Sequence, residues 1–416
     1  MAFQERKKII EQIETKRKSK VVTLVTSDRL STLPIAGIIG QISPDQVPQI
    51  IKHLKLLKTK FKDVDALDLY VHSSGGDINT AWPLVNVVRN HFKEFNILIP
   101  IRAHSAATLI ALGSDNIVMT RLASISPVDP TVANGFNPKE NNQPQGISVE
   151  DVTSFLALAR EKEFNISSEG YITEVFKLLV DKIHPLALGN VKRSHTQIRE
   201  LAMKLLHLHM NKEDSSIDSI VNGLTEKQHS HYHSIFKKEA ESMGMKNMKD
   251  ASDDEETLFL DLFKDYEQEM LLNKIFDANV FMGNSDEKLL ETITTYMEST
   301  ELSSKYVFKQ NLIKTTLADP NYRLQVLVNR NQLSNNAIIV KAQIAQIEAN
   351  VRAVYGQLAP MIQQNAGVPV LQGMPQQFTG IINSLSDLKN GITGEIDISS
   401  LKTQIEQKIV EIGWNN

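Results

Sequence analysis

The chain has 416 residues, too many for one ordinary domain and enough for two or three. Its hydrophobic (41 %) and charged (23 %) fractions are those of a globular protein, and a net charge of -4 supplies no global basic field to attract nucleic acid or an acidic membrane. It contains no cysteine, which excludes disulfides, zinc–thiolate sites and a cysteine nucleophile at once.

The first twenty residues, MAFQERKKIIEQIETKRKSK, read as a polar helix. They lack an apolar core, so they do not read as a secretory signal, and a cytoplasmic location is expected. The longest apolar stretches, such as NILIPI near 96–101, are too short to span a bilayer. VVTLVTS at 21–27 has the β-rich composition of a strand buried on both faces. QVPQIIKHLKLLKTKF follows as a helix with apolar Ile50, Ile51, Leu54, Leu56 and Leu57. ALDLYVHS is a second buried strand; it ends in a Gly-Gly turn, and INTAWPLVNVVRNHF opens a helix directly. ILIPIRAH is a third strand, SAATLIALGS a short helix behind it, and NIVM and ASIS are further short strands. This alternation predicts a parallel sheet with crossover helices.

The run TVANGFNPKENNQPQG, rich in Asn, Pro and Gly, reads as a loop long enough to suggest a function. Helices are predicted at 148–163, 169–182 and 190–210, and again at the end of IVNGLTEKQHSHYHSIFKKEAESMGMK. SDDEE at 252–256 is an acidic, exposed break. Beyond about 260, FLDLFKDYEQEMLLNKIF and EKLLETITTYME read as helices, and YVFKQNLIKTTL, ADPN and YRLQVLVNR as a β-hairpin over 305–330. Within a helix predicted over 337–362, Val340, Ile344, Ile347, Val351, Val354, Leu358 and Met361 form a heptad stripe. The stripe suits either packing on its own domain or an intermolecular coiled coil. A second helix pair, near 376–390 and 398–412, would complete a bundle. The expected organisation is an N-terminal helix (1–20), an α/β domain (21–250) and a mainly helical C-terminal region (260–416) for assembly or regulation.

Two strand-to-helix junctions carry the chemistry. The first is HSSGGD, His72 to Asp77; the second is HSAAT, His104 to Thr108. A serine at such a turn has its hydroxyl held at the sheet's edge, beside free N–H groups that favour an oxyanion. A Gly-Gly turn can bring a second N–H close, because no side chain blocks the approach. Two N–H groups and one hydroxyl are the minimum for acyl transfer. On local sequence alone Ser105 suits a plain helix N-cap equally well, and Gly75-Gly76 suits a structural turn or a phosphate cradle. No Gly-Lys-Ser/Thr follows, which argues against a Walker-type loop.

The order of the pieces is more specific. LDLYVHSSGGDINTAWPLVNVV, IPIRAHSAATLIALGSDNIVM and ASISPVDP together resemble the serine dehydrogenase proteinase family, a relative of signal peptide peptidase A and of the Clp protease. The resemblance continues in IHPLALGNVKRSHTQIRELAMKLL, IVNGLT and HSHYHSIFKKEAESMGMK, and covers roughly residues 20–246. It implies an α/β Clp protease/crotonase-like fold with a repeated ββα core, here followed by the mainly helical region with its hairpin. It implies a serine peptidase with Ser105 as nucleophile and the backbone N–H groups of Gly75 and Ala106 as oxyanion hole. It also implies a protein or peptide substrate, a homo-oligomer, and no cofactor. The chain departs from the family in reading Ser-Ser-Gly-Gly where a proline is preferred before the glycines. It also departs in His104 before the nucleophile and in Ala106-Ala107 after it, where relatives have Ala-Gly.

The general base is less evident. The family-like position after the nucleophile falls in ISPVDP, which has no histidine; Asp129 lies about one position from it. The position of the family's aspartate holds Tyr232, and His231 precedes it. The expectation is an exchange of roles, with His231 as base and Asp129 orienting it. The rival is a Ser-Lys dyad through Lys139 or Lys162, whose amine would need desolvation to lower its pKa. His184, in family-like IHPLALG, is a third candidate base, with a helix cap as the bland alternative. His72, Gly76 and His104 flank the two turns and are expected to line the pocket. His229, His231 and His233 would share a face in an extended segment, with His207 and His209 nearby, but no cysteine accompanies them and no metal site is expected. A catalytically inactive interaction protein and a crotonase-like acyl-thioester enzyme are the other functional classes, and a regulatory protein partner acting through residues 260–416 is a further expectation.

Overall fold

The computed structural model describes residues 3–128, 131–132, 136–137, 139–140, 143–144, 147–148, 152, 154–155, 158, 169–225, 233–317, 327–329, 337–364, 374–391 and 402–415. The chain opens with α1 (Phe3–Arg17), β1 (Lys20–Thr26), α2 (Gln46–Lys60), β2 (Ala66–His72), a 3-10 turn (Ile78–Thr80) and α3 (Ala81–His91). It continues with β3 (Glu94–Ile99), β4 (Arg102–Ala103), α4 (Ala106–Leu112), β5 (Asn116–Met119) and β6 (Ser124–Ile125). Two small antiparallel pairs follow: β7 (Thr131–Val132) with β10 (Ile147–Ser148), and β8 (Lys139–Glu140) with β9 (Gln143–Pro144). Then come α5 (Glu169–Lys182), α6 (Pro185–Leu206), α7 (Ser216–Thr225), α8 (Lys237–Met243), β11 (Met248–Asp250), α9 (Asp253–Glu269) and α10 (Ala278–Met282). The chain finishes with β12 (Glu287–Glu298), β13 (Ser303–Leu317), β14 (Leu327–Asn329), α11 (Ala337–Gln364), α12 (Met374–Gly391) and β15 (Lys402–Asn415).

One sheet organises these elements, in the order β11-β5-β3-β2-β1-β12-β13-β14, with β15 also on β13. The half from β11 to β1 is parallel and the half from β12 onward antiparallel. Alternation along β1 explains why its sequence shows no polar face. Val22 and Leu24 join a core with α2, α3, α4, α6 and α7 on one side of the sheet. Val21 and Val25 join Ile10, Ile13, Phe259 and Leu262, from α1 and α9, on the other. A strand covered on both faces reads as a continuous apolar run. Each such side chain contributes about 1.5–3 kcal/mol when fully buried, so these two layers dominate the stability.

Helix α1 is polar, yet it is not loose. Arg6 is 2 % exposed and bonds Glu298 of β12 at 2.7 Å and Asp265 of α9 at 2.9 Å. It also lies over the Tyr266 and Tyr296 rings. Arg17 reaches Asp68 of β2 and Glu255 of α9. A helix with little apolar surface is thus docked by buried charge pairs, which become costly when one partner is lost.

Two C-terminal expectations change. EKLLETITTYME is a strand, not a helix: Glu298 to Thr295 pair antiparallel with Thr23 to Thr26 of β1. Its run Thr292–Tyr296 is β-branched and aromatic, and the open flank of β1 supplies the partner. Likewise 402–415 is a strand on β13, with a bulge between Lys309 and Gln310, where a helix near 398–412 was expected. A β13–β14 hairpin is present, though it pairs only Thr315–Leu317 with Leu327–Asn329. Along the heptad stripe, Ile344 and Val351 are buried while Val354 and Met361 are exposed. α11 packs on α12: Tyr355 stacks on Phe378 at 5.0 Å, and Lys389 bonds Glu348 at 2.6 Å. Among the described residues no helix is long and apolar enough to cross a membrane.

Candidate active site

The site forms where two turns meet at the carboxyl ends of β2 and β3. Strand β3 ends at Ile99, and Pro100 follows, whose missing N–H cannot continue a ladder. The chain leaves the main sheet there, and β4 pairs instead with β6 in a small parallel ribbon. That step carries residues 104–106 to the end of β2. Ser73 N–H donates to Arg102 O at 3.1 Å and His104 N–H donates to Ser73 O at 2.9 Å, lacing the turns together.

The first turn uses glycine where glycine is required. Gly75 and Gly76 have φ of 112° and 151°, values that side chains rarely adopt. Ile42 brackets the turn, donating to Gly75 O at 2.8 Å and accepting from Asp77 N–H at 2.8 Å. A Cβ on Gly76 would lie 2.2 Å from Ile42 O. A Cβ on Gly75 would lie 2.7 Å from Ser105 Cβ and 3.2 Å from its Oγ. Inside the turn, buried Ser73 Oγ accepts from Gly75 N–H at 3.0 Å and from Thr26 Oγ1 at 2.8 Å. Asp77 caps the 3-10 turn through Asn79 N–H at 2.9 Å.

The second turn breaks a rule that the first obeys. Ser105 has φ 51° and ψ -114°, in a region costly for any residue with a Cβ. Its N–H donates to Ser126 Oγ at 2.8 Å, and its own Oγ makes no hydrogen bond among the described residues. The helix behind it, α4, is made of small and apolar residues that are all buried. Ala106 N–H, at the first helical position, has no acceptor among the described residues.

The histidines divide. His104 places Nε2 2.9 Å from Ser124 Oγ of β6. His72 is buried and turned to the opposite face from Ser73, as neighbouring strand residues must be. Its ring packs on Phe263 at 4.5 Å and its Nε2 is 3.1 Å from Asp28 Oδ2. Asp28 also pairs with Arg102 at 3.3 Å. Burial opposes the Asp28 charge, but the His72 hydrogen bond and the nearby positive charges outweigh it and lower its pKa. His184 is the N-cap of α6: its Nδ1 accepts from Leu186 N–H at 3.2 Å, and its ring stacks on Phe136 at 5.0 Å. The ring nitrogen that a base would need is therefore engaged by the helix. His209 bonds Leu112 O at 2.9 Å and His233 bonds Glu239 at 2.8 Å.

Asp129, Lys162, His231 and His229 lie outside the described residues, and so does the Lys139 side chain, although its backbone opens β8. The residues flanking two of these segments are placed. Val128 N–H donates to Leu224 O at 2.9 Å, and Ile125 and Ile235 exchange hydrogen bonds of 3.0 and 2.9 Å. Val128, just before the first of these segments, is thus held at Leu224, and Ile235, just after the second, at β6, which Ser126 directly follows. Sequence reasoning missed Ser73, Thr108 and Ser126. No spacing marks them: the Ser73 hydroxyl serves its own turn and Thr26, while those of Thr108 and Ser126 bond backbone groups 18 and 21 residues away.

A family model described as ClpP-like SDH-type serine proteinase matches residues 1–278. The chain is 29 % identical over 183 residues to an uncharacterized protein of Methanocaldococcus jannaschii, covering 42 % of this chain and 60 % of that one. A second uncharacterized protein of the same organism is 26 % identical over 179 residues, covering 42 % and 59 %. The chain thus spans about three fifths of the length of these curated relatives. Among solved structures it is similar to a mutant of the 1510-N membrane-bound stomatin-specific protease, at 19 % identity over 36 % of this chain and 67 % of that one, with a TM-score of 0.23. It is also similar to ClpP1 from Listeria monocytogenes, at 11 % identity over 59 % and 97 %, with a TM-score of 0.31.

Proposed function

The chain belongs to the ClpP-like SDH-type serine proteinase family, and on that premise we propose that it is a serine peptidase with Ser105 as its nucleophile. The observation that carries this reading is the Ser105 hydroxyl, unbonded among the described residues, on a strained strand-to-helix turn with the Gly75 backbone against it. Ser105 Oγ attacks the scissile carbonyl carbon while its proton passes to a base. The tetrahedral oxyanion collapses, the C–N bond breaks, and the base returns the proton to the leaving amine. Water then attacks the acyl-enzyme by the same route, releasing the acid and restoring the hydroxyl.

For the oxyanion we assign Ala106 N–H and Gly76 N–H. The Gly75 N–H is already bonded to Ser73 Oγ, whereas Gly76 N–H has no acceptor among the described residues. Gly75 O accepts from Ile42, and in a trans peptide that turns Gly76 N–H the other way. Gly75 itself supplies clearance.

His231, oriented by Asp129, is the proposed base. Support comes from the Val128–Leu224 and Ile125–Ile235 hydrogen bonds, which bring the flanks of both segments together beside β6. Lys139 and Lys162 are the competing bases. The substrate is a protein or peptide, and a homo-oligomer controlled through the C-terminal region or a partner is the proposed working form.

A fluorophosphonate probe tests the reading. Phosphonylation at Ser105, located by peptide mass spectrometry and absent in Ser105→Ala, is expected; a folded, unlabelled wild type would point to a non-catalytic interaction protein. Labelling that is undiminished in His231→Gln would remove His231 as the base.

A further inference from the structure

Ser105 does not hold its conformation by itself. A residue with φ 51° and ψ -114° returns to an ordinary region unless its surroundings fix it. The C-terminal side is fixed by α4: Ala107 N–H donates to His104 O at 2.9 Å and Leu109 N–H to Ser105 O at 3.2 Å. On the N-terminal side one bond holds the Ser105 N–H, which donates to Ser126 Oγ at 2.8 Å.

Ser126 is suited to this. It is 1 % exposed, and its own hydroxyl proton goes to Pro127 O at 2.9 Å, which leaves a lone pair facing Ser105 N–H. Its backbone is clamped in turn by fully buried Thr108. Ser126 N–H donates to Thr108 Oγ1 at 3.2 Å, and that hydroxyl lies 2.8 Å from Ala103 O and 3.0 Å from Ser126 O. Thr108 is one turn along the helix that Ser105 begins. The loop is closed: residue 108 holds 126, and 126 holds the turn that starts the helix of 108.

We propose that Ser126 is a positioning residue for the nucleophile. It fixes the Ser105 peptide so that Oγ and the Ala106 N–H keep one relation to the scissile carbonyl. The inference rests on reading Ser105 as the nucleophile, and it goes beyond that reading by naming a residue that touches neither substrate nor reacting atom. A misplacement of about 1 Å is enough for a loss near 100-fold in a reaction step.

The test separates reaction from binding. The full chain is treated with a fluorophosphonate, and kinact and KI are measured for wild type, Ser126→Ala and Ser126→Thr. Ser126→Ala is expected to lower kinact by about 10- to 100-fold with KI unchanged. Ser126→Thr, which keeps the hydroxyl, is expected to recover kinact to within a few-fold. A residue that only stabilised the fold would lower the melting temperature and leave kinact of the folded protein intact, and that result overturns the proposal. If Ser126→Ala does not fold, Ser126→Cys replaces it, keeping the volume with a weaker acceptor, and kinact equal to wild type there also overturns it. A wild type that is not labelled at Ser105 removes the nucleophile and the inference with it; a labelled wild type with an equally fast Ser126→Ala removes this inference alone.

Discussion

At the Ser73–Asp77 turn the positive φ values fall on Gly75 and Gly76, whereas at the His104–Ala106 turn the positive φ falls on Ser105. Both turns end a strand and start a helix, and they are bonded to each other through Ser73, Arg102 and His104. Glycine adopts its geometry at little steric cost, so bracketing by Ile42 and the Ser73 hydroxyl suffices for the first turn. Serine does not, so the second needs a hydroxyl on its N–H and a buried helix behind it. Strain is therefore concentrated on the one residue whose side chain is to react, and the neighbouring turn is built to make room for it.

The largest expected effect is on chemistry: Ser105→Ala should reduce peptidase turnover and probe labelling by roughly 10⁴-fold or more. It should leave the fold in place, as judged by circular dichroism and melting. Next is Gly76→Ala. Its Cβ would meet a backbone oxygen at 2.2 Å, which cannot give way as a side chain would. A loss of about 3 kcal/mol, with labelling abolished, is expected in chemical denaturation. A near-neutral Gly76→Ala would mean that the first turn is not fixed by Ile42.

Ser105→Gly sharpens the contrast from the other side. It removes the nucleophile and the strain together, so stability should rise by about 1 kcal/mol, or about 2 °C in melting temperature. Destabilisation would show that Ser105 is not strained. A smaller effect concerns acid. Asp28 carries a lowered pKa through His72 and Arg102, against its burial. A carboxyl lowered on folding contributes stability that is complete above its unfolded pKa of about 3.9 and is lost as pH falls through the folded value. Asp28→Asn should therefore melt below wild type at pH 6 and approach it near pH 3; a constant difference would detach the foot of β2 from that ion pair.

Much of this was legible in the residues. Strands at VVTLVTS, ALDLYVHS and NIVM and helices at 46–60 and 81–91 follow from apolar runs and turn chemistry, because both faces of the parallel half are covered. The junctions at Gly75 and Ser105 were visible for the same reason. Strand β12 was not: EKLLE has strong helix formers, and only the open flank of β1 decides in favour of extension. Positive φ at Ser105 has no signature, since it depends on where β4 and α4 are pinned. His184 caps α6, the structural alternative its sequence offered, because a histidine before Pro185 can accept a helix N–H as well as a proton. Ser126 and Thr108 were invisible because they bond backbone atoms far along the chain.

The pairing of β12 with β1 has a consequence for the protein's birth. Strand β1 is synthesised first but receives its second neighbour about 260 residues later. At ribosomal speeds that interval lasts roughly 15–50 s, during which the nascent chain carries an unpaired strand edge. A chain stopped near residue 260 keeps every residue of the two turns and never covers that edge, so the first defect of such a truncation is aggregation rather than loss of the turn that holds Ser105.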